Sequence, residues 1–225
     1  MVICDKYNFT FLRLPKNASS SLSEFFIKNF CSKEDVWTEV NDCGIKSNNV
    51  DPKIIQKYRE EYRFIHLTLE ELVNNNLLTV EQAHNKNNIA VLRNPIERQL
   101  SLFFFLNKRP KHRKGTSVEE FRETFKYGHH ITDPSNKILQ TDYVKVNNQD
   151  LGNWWLYENL NNHINDFVNN NNVEIKSDLK RFKSINKANK SDIIDEYYDK
   201  KTMDAVLKYY EKDFEKYYEL KSKYE

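Results

Sequence analysis

Residues 15–21, Pro15-Lys16-Asn17-Ala18-Ser19-Ser20-Ser21, join an apolar run to a segment with helical spacing. A lysine followed by small residues at a strand-to-helix turn suits an anion. Uncommitted backbone N–H groups and the positive end of the helix dipole there point at one spot. The lysine adds a full charge that can reach a transferring group. A second stretch, Leu92-Arg93-Asn94-Pro95-Ile96-Glu97-Arg98-Gln99-Leu100-Ser101, repeats the pattern of strand, turn and helix. Arg93 falls at a strand's carboxyl end, where ligands bind in open parallel sheets, and offers a planar fork for phosphate. Ser101, eight positions on, adds a hydroxyl donor. The same spacing also permits an Arg93–Glu97 ion pair. Between the two stretches stands His66, whose imidazole type exchanges a proton near neutrality.

These residues need elements to hold them. Residues 9–14 read as a buried strand and residues 19–30 as a helix whose opening serines cap its free N–H groups. Leu22, Phe25, Phe26 and Phe30 recur at helical spacing and mark its core face. Residues 33–50 read as irregular, and 51–62 as a helix with Pro52 in its first turn. Residues 63–67 read as a short strand ending near His66, and short helices are expected over 68–74 and 79–84, each opened by a threonine. Residues 88–93 form a second buried strand, followed by a helix over 96–107 and a basic loop over 108–114. Further helices are expected over 117–127, 151–168 and 201–222, with a polar segment up to about 150. Strands followed by helices predict an α/β fold of the P-loop-like, three-layer kind, a central parallel sheet flanked by helices, in a single domain over 1–225.

Composition bounds the function. The chain is 39% hydrophobic and 30% charged with a net charge of +2, which is too balanced for nucleic-acid binding by bulk electrostatics. Its few glycines and prolines argue against a turn-rich all-β fold. The longest apolar run, Leu102–Leu106, is far short of a membrane span, and the N-terminus carries no signal-peptide h-region, so a cytoplasmic location is expected. Cys4, Cys31 and Cys43 are odd in number and match no common metal framework; they read as reduced thiols, with one disulfide left open. No metal is expected.

The two anion turns together resemble those of the 3′-phosphoadenosine-5′-phosphosulfate (PAPS)-dependent sulfotransferases. That family pairs a Pro-Lys-x-x-Ser/Thr loop for the 5′-phosphosulfate with an Arg-x-Pro-x-x-Arg-x-x-Ser element for the 3′-phosphate. Neither is a Walker A loop, since Gly-x-x-x-x-Gly-Lys-Ser/Thr is absent here. The wording is similar to the carbohydrate branch, above all the uronosyl 2-O-sulfotransferases. The likeness is dense over residues 9–31 and 88–109 and thin between about 115 and 180.

The resemblance implies roles. Lys16 would contact the bridging oxygen and stabilise the departing phosphate. Asn17, Ala18, Ser19, Ser20 and Ser21 would supply donors to the 5′-phosphate, and Arg93 and Ser101 would hold the 3′-phosphate. His66 matches a strand-end histidine that acts as catalytic base in the 2-O branch. The loop Asn186-Lys187-Ala188-Asn189-Lys190-Ser191 resembles one that closes over the cofactor, which places Asn189 and Lys190 among the cofactor contacts. The basic loop, through Lys108, Arg109, Lys111 and Arg113, would meet an anionic acceptor, and the implied partner is a hydroxyl-bearing saccharide. Trp154-Trp155 would either stack on a sugar or fill the core, and the run 209–214, with its Tyr-x-x-Asp-Phe pattern, reads as packing. The loop departs from the family in lacking its common glycine, and the tryptophan that follows it in the small-molecule sulfotransferases is missing. Two alternatives stay open on the residues alone, a P-loop-type kinase and a non-catalytic protein that binds anionic glycans.

Overall fold

Apolar residues on successive strands alternate between two faces, and each face builds its own core. The computed structural model describes residues 1–41, 44–59, 63–107, 117–126, 137–178 and 190–224. Strands β1 (Val2–Cys4), β2 (Phe9–Leu12), β3 (Val36–Asn41), β4 (Gly44–Asn48), β5 (Asn87–Leu92) and β8 (Gly152–Leu156) form one sheet in the order β4-β3-β1-β2-β5-β8. The strands β6 (Lys145–Val146) and β7 (Gln149–Asp150) make a separate small hairpin. β2, β5 and β8 run parallel, in register Leu12 with Ala90 and Leu92 with Leu156, and the antiparallel β1, β3 and β4 extend the sheet beyond β2. The expected α/β class, a P-loop-like sheet between helices, is the fold observed.

One face presents Phe9, Phe11, Ile89, Val91 and Trp155 to helix α1 (Ser19–Phe30) and helix α7 (Leu160–Asn170). Phe26 sits at the middle of an aromatic group, with ring centroids 5.0 Å from Phe9, 5.0 Å from Phe11 and 5.7 Å from Phe167. Such pairs contribute about 0.5–1.5 kcal/mol each beyond the area they bury. The other face presents Leu12, Ala90, Leu92, Trp154 and Leu156 to α2 (Pro52–Arg59), α3 (Leu69–Asn74), α4 (Val80–Asn85) and α10 (Glu211–Lys221). Thr68 and Thr79 open α3 and α4 with capping boxes, as their positions predict. A third cluster joins α5 (Pro95–Asn107), α6 (Val118–Lys126), Tyr198 after α8 (Lys190–Tyr197), α9 (Lys200–Tyr209) and α10.

Four expectations are corrected. The stretch expected to be irregular over 33–50 contains the paired antiparallel strands β3 and β4, because the edge of β1 supplies an antiparallel partner to β3. Residues 63–67 form turns instead of a strand. β2 pairs directly with β5, so the sheet has no place for a strand between them, and the His66 amide donates to the Arg63 carbonyl at 2.6 Å. Residues 151–168 do not make one helix. Trp154, Trp155 and Leu156 are buried on both faces of β8, a 3₁₀ turn follows at Tyr157–Asn159, and α7 begins only at Leu160. Gly152 starts β8 where a Cβ would stand 2.9 Å from both Trp154 Nε1 and Val144 Cγ2. The helix over 201–222 is two helices, broken where buried Tyr210 leaves helical geometry at φ −101° and ψ 24°. Both tryptophans therefore fill the core.

Candidate active site

The loop after β2 is shaped by backbone geometry rare for residues with side chains. Lys16 has φ 67° and Ala18 φ 58°, with Asn17 between them at negative φ. This alternation turns successive N–H groups toward one side, the backbone form known as a nest. Ala18 is the N-cap of α1 and no side chain caps the helix, contrary to the expectation that the serines would. Two serine hydroxyls of the first turns, those of Ser20 and Ser23, are engaged elsewhere. Ser23 donates to the Ser19 carbonyl at 2.8 Å, and Ser20 accepts from Arg13 Nη2 at 3.2 Å. Ser19 and Ser21 are buried, so the first-turn N–H groups, which have no intrahelical acceptor, are what the helix offers a ligand. Asn17 is buried and its Nδ2 donates to the Val91 carbonyl and to Gln140 Oε1, both at 2.6 Å. Its side chain thus belongs to the scaffold, and only its backbone faces the nest.

The second turn lies against the first. Arg93 Nη1 donates to the Lys16 carbonyl at 3.1 Å, Nη2 pairs with Glu97 Oε2 at 3.2 Å, and the guanidinium lies 4.6 Å from the centroid of the Tyr157 ring. The Lys16 amine sits 4.0 Å from the centroid of Phe105 on α5. Ser101, half-buried, is one helical turn before Phe105 and so on the same stripe. Pro95 opens α5 and Asn94 Oδ1 accepts from the Ile96 amide at 2.9 Å. Lys16, Arg93 and Tyr157 thus stand together just beyond the carboxyl ends of three parallel strands. Glu158 accepts from the Tyr217 hydroxyl at 3.2 Å; burial raises its carboxyl titration, and the nearby Glu97 raises it further.

The sequence comparison decides the lineage of this arrangement. The family described as the sulfotransferase family matches residues 1–219. The chain belongs to the sulfotransferase family. No curated protein and no solved structure was found to match it. Transfer of a sulfuryl group to an acceptor is therefore the general chemistry of this sulfotransferase.

Three residues that the sequence reading did not assign to the site support it in this sulfotransferase. Gln140 accepts from the Arg93 amide at 3.1 Å and from Asn17, and its Nε2 donates to the Arg93 carbonyl at 3.0 Å. One buried amide thus ties both turns together. Asp213, from the run read as packing, accepts from the Gln140 amide at 2.9 Å and from the Thr141 amide and hydroxyl at 3.0 Å each. Burial pushes its carboxyl up, and the charge of Arg98 opposes the push. Arg98 is fully buried behind the loop. Its Nε donates to the Pro15 carbonyl at 3.1 Å, while Nη1, Nη2 and both polar atoms of the neighbouring Gln99 side chain have no hydrogen-bond partner among the described residues. Only the Arg-x-Pro-x-x-Arg spacing hinted at Arg98. Gln140 and Tyr157 left no local signal.

His66 lies beside the same strand end. Its Nδ1 is 2.5 Å from the Arg13 carbonyl, so Nδ1–H donates and Nε2 keeps its lone pair. Burial, then the Arg13 charge, push the imidazole down to about 3. The folded protein therefore keeps His66 neutral where an unfolded chain protonates it. Because the unfolded state binds more protons, this contribution is complete above pH about 6.5 and is lost as pH falls toward about 3. His66→Gln should abolish about 1–2 kcal/mol of the stability that urea titrations show being lost between pH 7 and pH 5. Equal losses in both proteins would show that His66 titrates normally. Of the other histidines, His84 is exposed and His163 accepts from the Leu156 amide at 3.0 Å. Lys108, Arg109, Lys111, Arg113, His112, His129, His130 and Asn189 lie outside the described residues, and Lys190 opens α8 with its side chain outside them. No described helix is long and apolar enough to cross a membrane.

Proposed function

We propose that the protein moves a sulfuryl group from PAPS to a hydroxyl of a saccharide. What carries the reading is the bond from Arg93 to the Lys16 carbonyl, which sets a nest and an arginine fork side by side at the carboxyl ends of β2 and β5. The residues present suit such a donor: an uncapped helix start with a left-handed nest for one phosphate, and a half-buried guanidinium with a serine nearby for another. When bound, PAPS supplies an activated sulfuryl group on a good leaving phosphate. The N–H groups of residues 17–21 orient the phosphosulfate end, and Arg93 and Ser101 orient the 3′-phosphate. The Lys16 amine meets the charge developing on the leaving oxygen, without solvent having to reorganise. Nε2 of His66, left as an acceptor by the bond at Nδ1, takes the proton of the attacking hydroxyl. A depressed imidazole pKa makes this a weak base, so much of the rate must come from holding acceptor and sulfur in line. Asn189, Lys190 and the basic residues Lys108, Arg109, Lys111 and Arg113 complete the proposal as cofactor and acceptor contacts.

The test is a ligand comparison followed by an acceptor screen. Adenosine 3′,5′-bisphosphate at a hundredfold excess over its Kd should raise Tm by about 5–10 °C, and ATP with magnesium should do so far less. Isotope-labelled PAPS should then pass its label to a member of a saccharide panel, detected by mass. Equal stabilisation by ATP with magnesium and no label transfer to any hydroxyl would overturn the reading in favour of a kinase-like protein.

A further inference from the structure

Cys4 ends β1, Cys31 caps α1 at its carboxyl end, and Asp35 lies just before β3; their sulfur and carboxylate atoms are all within 4.8 Å of one another. Cys4 is buried and its thiol donates to the Phe30 carbonyl at 3.6 Å, which brings β1 to the last turn of α1. Cys31 is half-buried and lines a surface pocket with Ile27, Ser32, Lys33 and Trp37, the side from which a small reagent would approach its sulfur. A soft metal ion and a dithiol are the two chemistries such a cluster could serve. The carboxylate is already committed to the loop. Asp35 Oδ1 accepts from the Asp5 amide at 2.9 Å, and Oδ2 accepts from the Ser32 amide at 2.6 Å and the Ser32 hydroxyl at 3.0 Å. A structural zinc site takes four protein ligands, and among the described residues this cluster has three. The two sulfurs lie within 4.8 Å of each other. The neighbouring Cys31 draws the titration of Cys4 down, while Cys4 and burial push that of Cys31 up, so Cys4 is the sulfur that ionises first.

We propose that Cys4 and Cys31 are a reversible dithiol–disulfide pair, oxidised by exchange with a low-molecular-weight disulfide such as oxidised glutathione. Cys4 Sγ takes the proton of the accessible Cys31 thiol as the Cys31 sulfur attacks one sulfur of the oxidised glutathione. A mixed disulfide forms and one glutathione thiolate leaves, taking up a proton. Cys4, deprotonated again, attacks Cys31 Sγ and expels the second glutathione. Counted from the two thiols, the protein loses two protons and two electrons, and one oxidised glutathione becomes two reduced ones. Closure requires side-chain rotation that brings the sulfurs from within 4.8 Å to bonding distance. The bridge closes a loop containing β2, the nest and α1, and so fastens the far end of the helix whose start forms the anion site. The inference is independent of the nucleotide reading.

The test uses the full chain carrying Cys43→Ser, so that only this pair can react intramolecularly. In oxidised glutathione buffer, both thiols should become resistant to N-ethylmaleimide, peptide mass mapping should find a Cys4–Cys31 linkage, and Tm should rise by roughly 5–10 °C. Dithiothreitol should reverse all three. Cys31→Ser, at a half-buried position, should fold and show no redox dependence of Tm; Cys4→Ala checks the other partner. Continued alkylation of both sulfurs after oxidation, or the same Tm in both redox states, overturns the proposal. So does one equivalent of zinc retained through gel filtration with the thiols shielded from oxidised glutathione.

Discussion

Lys16→Ala should cut sulfuryl transfer by about 10²–10³-fold, the usual loss when one preorganised donor to a developing negative charge is removed. The effect should fall on turnover, with the Kd for adenosine 3′,5′-bisphosphate changing much less, because the charge in question grows only as the leaving oxygen departs. Folding should survive. The Lys16 side chain rests on Phe105, and its carbonyl, which receives Arg93, is unaffected by truncation. The left-handed φ of 67° is a constraint on any residue with a Cβ, so Lys16→Gly serves as the control that relieves it. Both variants should be equally inactive, and donor hydrolysis without acceptor should fall in parallel. Transfer within twofold of wild type in either one removes the amine from the mechanism.

Arg93→Ala should weaken adenosine 3′,5′-bisphosphate by roughly 10- to 100-fold, the range expected on losing charge-assisted hydrogen bonds to a phosphate. A bare loss of affinity would not separate direct contact from damage to the loop, since Arg93 also braces the Lys16 carbonyl and pairs with Glu97. The discriminating measurement is the ratio of affinities for the bisphosphate and for adenosine 5′-phosphate. In the proposed site the wild type should prefer the bisphosphate strongly, and Arg93→Ala should lose that preference while still binding the monophosphate. Arg93→Lys keeps a charge without the planar fork and should fall between them. If both ligands weaken equally, Arg93 is a brace for the nest, and the 3′-phosphate role is wrong. Glu97 and Glu158 make this site less positive than its basic residues suggest, so affinity should also respond to salt.

The parts of the site written in contiguous residues were legible without a structure. Pro15–Ser21 and Arg93–Ser101 each carry their element boundaries, charge and hydroxyls within a few positions. The helix expected over 19–30 is the helix observed. The apolar runs over 9–14 and 88–93 likewise pointed to buried strands; that Phe9, Phe11, Ile89 and Val91 share one face follows from the period of two in side-chain direction. His66 was picked out by type and position, but the strand assigned to it was wrong. Its placement depends on the carbonyl of Arg13, a neighbour fifty-three positions away.

What the tertiary structure alone decided is how these pieces are held and charged. Trp154-Trp155-Leu156 has no local mark separating strand from helix. It became β8 because β5 offered an open edge with apolar cover on both faces. The serines did not cap α1, because the left-handed Ala18 leaves the helix start open and Arg13 engages Ser20. Gln140 and Asp213 join the two turns across separations of 47 and 73 residues. The burial of Arg98 and the depressed titration of His66 are properties of the assembled interior. Residue types and near-neighbour spacing determined which chemistry this protein can attempt, since donors, charge and backbone freedom are local. Desolvation and long-range hydrogen bonding exist only once distant segments close around one point. The protonation states and the orientation of the groups therefore had to wait for the fold.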